Sequence, residues 1–186
     1  NAHLPMELSR KTVGIVGLGK IGKEVAKRLK GFECNILYYD TIRPSESVEL
    51  ELGVKFCDLE EIFRKADLVT VHVPLMPETR QMVAAGLLNL MKPSAIFLNT
   101  ARGEVVNERD LYEVLKERKI RGAGLDVFGK EPIESDNPLL TLDNVVLTSH
   151  KASTTVEAIS NLVEQVCTNL SRVARGQRPE NIVNGL

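Results

Sequence analysis

The chain has 186 residues, enough for one domain with a sizeable core. Its 24 basic and 25 acidic side chains nearly cancel, no Lys/Arg block stands out and aromatics are scarce, so nothing favours a nucleic-acid surface. No apolar run is long enough to span a bilayer and no signal-peptide pattern opens the chain, while Cys34, Cys57 and Cys167 are scattered without metal-ligand spacing. The expectation is a cytoplasmic protein with reduced thiols, no membrane association and no metal site.

The first patterned segment is TVGIV, Thr12–Val16, a β-branched apolar run that ends in glycines and predicts a buried strand. A helix is predicted from Ile21 to about Lys30, with Ile21, Val25 and Leu29 at four-residue spacing and basic residues between them. NILYYD predicts a strand over Asn35–Tyr39, and further strands are predicted at Leu68–Val73, Ala95–Leu98, Gly122–Leu125 and Val145–Leu147. Helix starts are marked by Asp58 with Glu61 and by Asn107 with Asp110, both fitting capping arrangements. Thr154 with Glu157 reads as a capping box for the last and longest helix, from Thr155 to about Arg175, and Gly176 suits its stop. Along that helix Val156, Ile159, Val163, Val166, Leu170 and Val173 alternate spacings of three and four. The pattern predicts a core-facing stripe, with a dimer seam as the alternative.

Strands that are apolar throughout, separated by amphipathic helices, indicate a parallel sheet covered on both faces. The expected fold is α/β, a doubly wound parallel sheet of Rossmann-like type. No low-complexity linker divides the chain, so one domain is expected over 1–186, with 1–11 and 177–186 as connectors.

GLGKIG, Gly17–Gly22, fits G-x-G-x-x-G and lies between a predicted strand and an amphipathic helix, as a dinucleotide fingerprint requires. Gly17 would permit the tight turn, Gly19 would let backbone approach a pyrophosphate, and Gly22 would allow close helix packing. Lys20 and Ile21 complete the loop, and the helix N-terminus offers unpaired N–H groups to the anion. Asp40, about 20 residues on, ends the second strand where a carboxylate can accept both ribose hydroxyls of NAD and repel the 2′-phosphate of NADP. Arg43 complicates this choice, because an arginine is what an NADP site would want.

Three more segments run from a strand straight into polar groups: LNTARGEVVN, GLDVFGKEP and LTSHKAS. In an open parallel sheet the ligand crevice lies outside the carboxyl ends of the strands, so Arg102, Asp126, Glu131 and His150 should converge there. A histidine at a strand end is by itself more often structural than chemical. An arginine, a glutamate and a histidine together on one rim are harder to explain that way.

GIVGLGKIGKEVA, VHVPLMPET, NTARGEVVNERDL, GAGLDVFGKEP and SHKAST, in this order and spacing, resemble the D-isomer-specific 2-hydroxyacid dehydrogenases from about Leu8 to Asn184. The resemblance implies NAD as cofactor and a small 2-hydroxy or 2-keto acid as substrate. It further implies Arg102 as the substrate-binding arginine, His150 as the acid/base and Glu131 as its partner. Val73, Pro74, Thr100 and Ala101 are similar to the family's cofactor-lining positions, and Asp126 to its nicotinamide-side carboxylate. His72 resembles a structural or cofactor-lining histidine, and His3 falls in a connector. Lys151 departs from the pattern, in which a neutral or apolar residue commonly follows the histidine. Its plainest role is solvated; the sharper one is to lower the pKa of His150 or to draw in an anionic substrate. Glu131 speaks against the related formate dehydrogenases, which lack a glutamate there. Corepressors of the same family keep the three residue types, so an NAD(H)-sensing interaction module is the alternative to an enzyme. Family members add a substrate domain built from both chain ends; the expectation is that it lies outside this chain, and that the full-length enzyme is a homodimer.

Overall fold

The computed structural model describes residues 6–182. Seven strands form one parallel sheet in the order β3-β2-β1-β4-β5-β6-β7. They are β1 (Thr12–Val16), β2 (Asn35–Tyr39), β3 (Val54–Phe56), β4 (Leu68–Val71), β5 (Ile96–Asn99), β6 (Gly122–Leu125) and β7 (Val145–Leu147). Helices α1 (Lys20–Leu29) and α2 (Glu46–Leu52) connect β1, β2 and β3. Helices α3 (Leu59–Lys65), α4 (Ala85–Leu88) and α5 (Glu108–Lys116) make the later crossovers up to β6. The strand order reverses between β1 and β4, where Val13 pairs with Leu68 on one side and Ile36 on the other. A crevice at the carboxyl end of such a reversal is the expected ligand site of this architecture.

Alternation along β1 divides the core in two. Val13 and Ile15 are fully buried with Ala26, Leu29, Ile36, Tyr38, Leu52 and Val54, under α1 and α2. Val16 belongs to the larger cluster with Ile62, Phe63, Phe97, Leu111 and Leu115, under α3 and α5. Gly14 faces that second layer because a Cβ there would sit 2.4 Å from the Ile62 Cγ2. The doubly wound parallel sheet expected from the sequence is therefore the fold observed.

Several local readings shift. Strand β4 stops at Val71, so His72 and Val73 fall in the following loop; β5 begins and ends one residue later than predicted. Helices α2 and α4 and strand β3 were not predicted: α4 has four residues and β3 three, too short for a period to register. Asn107 caps α5 by accepting the Asp110 N–H at 3.1 Å, as expected, whereas Asp58 precedes α3 without a side-chain cap bond.

The chain divides into two compact units, with the boundary between Ser149 and His150. Among the described residues the second contains one helix, α6 (Val156–Ala174). Its N-cap is Thr155, whose hydroxyl accepts the Ala158 N–H at 3.1 Å; Thr154, the residue expected to cap, instead donates its hydroxyl to the Lys151 carbonyl. Gly176, at φ +72°, ends α6: its N–H bonds the Val173 carbonyl and that of Gln177 the Arg172 carbonyl, a Schellman stop. The α6 stripe finds no cover within its own unit: no residue of the helix is buried there. An amphipathic period says that a face suits burial but carries nothing about which surface covers it. Among the described residues no helix is long and apolar enough to cross a membrane. His3 lies outside the described residues.

Candidate functional site

The turn after β1 begins at Gly17, which has φ +97°. Any Cβ there would stand 2.9 Å from the backbone of His72 and Val73, so both the backbone conformation and the space call for glycine. The turn is tied to both neighbouring strands' ends: the Gly17 N–H donates to the Tyr39 carbonyl at 2.8 Å and the His72 N–H to the Val16 carbonyl at 2.7 Å. Gly19 is the N-cap of α1, with no side-chain cap and no acidic residue in the first turn. A Cβ on Gly19 would meet nothing within 4 Å, so the glycine leaves open cradle space where it faces the cleft. Gly22 is held against the turn, its absent Cβ only 2.1 Å from the Gly17 oxygen. Open backbone N–H groups, a positive helix end and a missing side chain together fit a pyrophosphate.

Asp40 follows β2. One carboxylate oxygen accepts the Leu18 N–H at 2.7 Å and the other the Ile42 N–H at 3.1 Å. These bonds fix the carboxylate at the rim while each oxygen keeps acceptor capacity. A cleft of about 470 Å³ joins Asp40 to Gly17, Gly19, His72, Val73 and Pro74. A second lobe of about 520 Å³ shares Gly19, His72, Val73 and Pro74 and continues to Lys20, Ile21, Thr100, Ala101 and Arg102. Gly19 thus sits where two lobes meet, one ending at a carboxylate and the other at a guanidinium. The His72 imidazole lies 3.0 Å from the Thr70 hydroxyl, and burial pushes its pKa below the ordinary histidine value. That favours the neutral ring, unsuited to carrying a proton at neutral pH.

The Arg102 loop is built from Asn99, a residue that sequence reading left without a role. Asn99 ends β5 and is 1% exposed. Its side-chain oxygen accepts the Ala101 N–H at 3.0 Å and its amide donates to the Arg102 carbonyl at 2.9 Å. The turn that carries Thr100, Ala101 and Arg102 is therefore fastened from inside. Its only sequence signal is an asparagine at a strand end, a residue type that mimics backbone turns. The Arg102 side chain is exposed and donates to the Ala101 carbonyl at 2.6 Å. Gly103 then packs on the next strand's loop so closely that a Cβ would be 1.9 Å from the Phe128 carbonyl carbon.

Asp126 follows β6 and is 4% exposed; its N–H donates to the Asn99 carbonyl and its carboxylate accepts the Thr148 hydroxyl at 2.5 Å. Glu131 is exposed, with one oxygen accepting the Phe128 N–H at 3.0 Å. The loops bearing Arg102, Asp126 and Glu131 are thus tied together at the carboxyl ends of β5 and β6. His150 opens the second unit, is exposed, and has φ +55°, a left-handed conformation uncommon outside glycine. The neighbouring Lys151 is also exposed.

The model of the D-isomer specific 2-hydroxyacid dehydrogenase NAD-binding domain matches residues 1–152. A glyoxylate reductase of Korarchaeum cryptofilum is 51% identical over 174 residues, which span 94% of this chain and 52% of the relative. A D-3-phosphoglycerate dehydrogenase of Methanocaldococcus jannaschii is 47% identical over 96% of this chain and 34% of its own length. The chain therefore spans between a third and about half of these curated relatives. The NAD-complexed structure of a D-isomer specific 2-hydroxyacid dehydrogenase from Lactobacillus delbrueckii ssp. bulgaricus superposes with a TM-score of 0.87 at 32% identity, covering 97% of this chain and 58% of that one. With a glycine turn between strand and helix, a carboxylate at the end of the next strand and a fastened arginine turn on one parallel sheet, the chain belongs to the D-isomer-specific 2-hydroxyacid dehydrogenases, as their NAD-binding domain.

Proposed function

We propose that this domain serves an oxidoreductase that interconverts a D-2-hydroxy acid and its 2-keto acid, with Arg102 holding the substrate carboxylate. One observation carries the reading: Arg102 closes the lobe that begins at the Gly19 phosphate turn, so a dinucleotide laid from Asp40 across Gly19 ends beside a guanidinium. The bound nicotinamide supplies or accepts the hydride. His150 donates a proton to the ketone oxygen in one direction and takes the hydroxyl proton in the other. Glu131 is the carboxylate assigned to orient that imidazole in the full-length enzyme. Arg102 offers a fork that matches a carboxylate in two parallel hydrogen bonds. Asp40, Gly17, Gly19, Lys20, Ile21 and Gly22 hold the adenosine and pyrophosphate portions, and Val73, Pro74, Thr100, Ala101 and Asp126 line the nicotinamide side. The expected context is a full-length homodimer whose substrate domain joins through 1–11 and 177–186.

The test is NADH titration of this chain, followed by a 2-keto acid screen of the full-length protein. Glyoxylate and phosphohydroxypyruvate come first, since the relatives are named glyoxylate reductase and D-3-phosphoglycerate dehydrogenase. Reduction of one of them at the expense of NADH is the expected result. NADH binding without turnover on any keto acid would favour the sensing module instead.

Asn99→Ala is a sharper test of the arginine turn. It strips partners from the Ala101 N–H and the Arg102 carbonyl, a loss of about 1–3 kcal/mol for buried groups left unpaired. The melting temperature should fall, and in the full-length enzyme the keto-acid KM should rise by about tenfold with a smaller change in NADH affinity, about one hydrogen bond's worth of misplacement. An unaltered KM in the folded variant would speak against Arg102 as the carboxylate ligand.

A further inference from the structure

Arg43 lies three residues past Asp40, on the loop whose Thr41 lines the cleft. Its guanidinium is already engaged. The Nε–H donates to one oxygen of Glu49 at 2.7 Å and an Nη2–H to the other at 2.9 Å, a fork-on-fork pair. Glu49 projects from α2 into the core, with its side chain only 10% exposed. The Tyr38 hydroxyl, fully buried, donates to the same carboxylate. The guanidinium carbon also stands 5.2 Å from the centre of the Phe56 ring, which packs edge-on against Tyr38.

We infer that Glu49, backed by Tyr38, is a cofactor-specificity residue that holds Arg43 as a neutralised pair and denies it to a 2′-phosphate. This deepens the nicotinamide-cofactor reading and rests on it. Arg43 lies two residues beyond Thr41, which lines the cleft together with Tyr39 and Asp40, so the pair is anchored next to the segment that carries the ribose-side carboxylate of the proposed site. If Arg43 turned towards a phosphate, it would leave a nearly buried carboxylate with the tyrosine as its main partner, an unfavourable state. The charges bear this out: Arg43 first, and then Tyr38, hold the Glu49 carboxyl down at about 2. Burial, and then Glu49, push the Tyr38 hydroxyl up to about 12. Two devices therefore disfavour NADP, a carboxylate that repels its phosphate and a glutamate that occupies the arginine able to bind it. They should act in sequence, because releasing Arg43 brings little while Asp40 still repels.

The test is fluorescence titration of this chain with NADPH and NADH, with circular dichroism to confirm folding. In an Asp40→Ser background, adding Glu49→Gln should tighten NADPH binding about tenfold, as one charge-assisted contact would, and leave NADH within about twofold. Adding Arg43→Ala to that double variant should abolish the gain. A second comparison removes the pair together and so leaves no stranded charge: Asp40→Ser and Asp40→Ser/Arg43→Ala/Glu49→Gln should bind NADPH equally, since the paired Arg43 contributes nothing to the phosphate. An unchanged NADPH-to-NADH ratio on adding Glu49→Gln would overturn the inference, as would an NADPH loss on removing Arg43 and Glu49 together. Failure of the unaltered chain to bind NADH would instead overturn the cofactor reading itself.

Discussion

In the full-length enzyme, His150→Gln should lower kcat by about 10²–10⁴-fold, the usual contribution of a placed general acid/base, with NADH affinity nearly unaltered. Glutamine keeps a polar side chain of similar length but cannot take or give a proton near neutral pH. Backbone strain is the competing explanation, because His150 has φ +55°. Asparagine tolerates that conformation better than most residues, so His150→Asn separates the two causes. Near-normal turnover in His150→Asn would end the acid/base assignment, and equal losses in both variants would support it.

How much of this was legible in the sequence follows from the range over which each signal acts. The strand–glycine turn–helix unit was legible because every requirement is local: a strand, glycines at fixed spacing and a helix start lie within 17 residues, from Thr12 to Arg28. The position of Asp40 after the second strand, on the cleft rim, was legible by its distance from that loop. The Arg102 loop was only half legible, since the motif marked the arginine but not Asn99, whose two bonds run inward from a buried position that polarity alone would not assign. The Arg43–Glu49–Tyr38 cluster was not legible at all. It joins a loop, an unpredicted short helix and a strand, and Glu49 in ESVELEL reads as one more surface acid. The α6 stripe shows another limit: its period was read correctly, but periodicity does not name what lies opposite.

The phosphate loop makes a prediction that separates binding from folding. Gly19→Ala should weaken NADH binding strongly while the melting temperature holds, because φ at Gly19 is −72° and a Cβ there meets no protein atom within 4 Å. Alanine in such a conformation lowers the entropy of the unfolded chain, so a slight rise in stability, about 0.4–1 kcal/mol, is the direction expected. Gly22→Ala should damage both. Its Cβ would be 2.1 Å from the Gly17 oxygen, a backbone atom that cannot rotate away. Relief requires α1 to move by about an ångström from the turn, an overpacking penalty of about 1–3 kcal/mol. The same movement carries the helix N–H groups off the pyrophosphate, whose hydrogen bonds weaken steeply with distance and angle. NADH affinity should then fall by about a hundredfold, equivalent to about 2.7 kcal/mol. Thermal melting and NADH titration of the two variants check this together. A Gly22→Ala chain that melts and binds like the unaltered one would show that the turn is looser than its geometry. A Gly19→Ala chain that binds NADH normally would mean that the pyrophosphate does not cross the loop at Gly19.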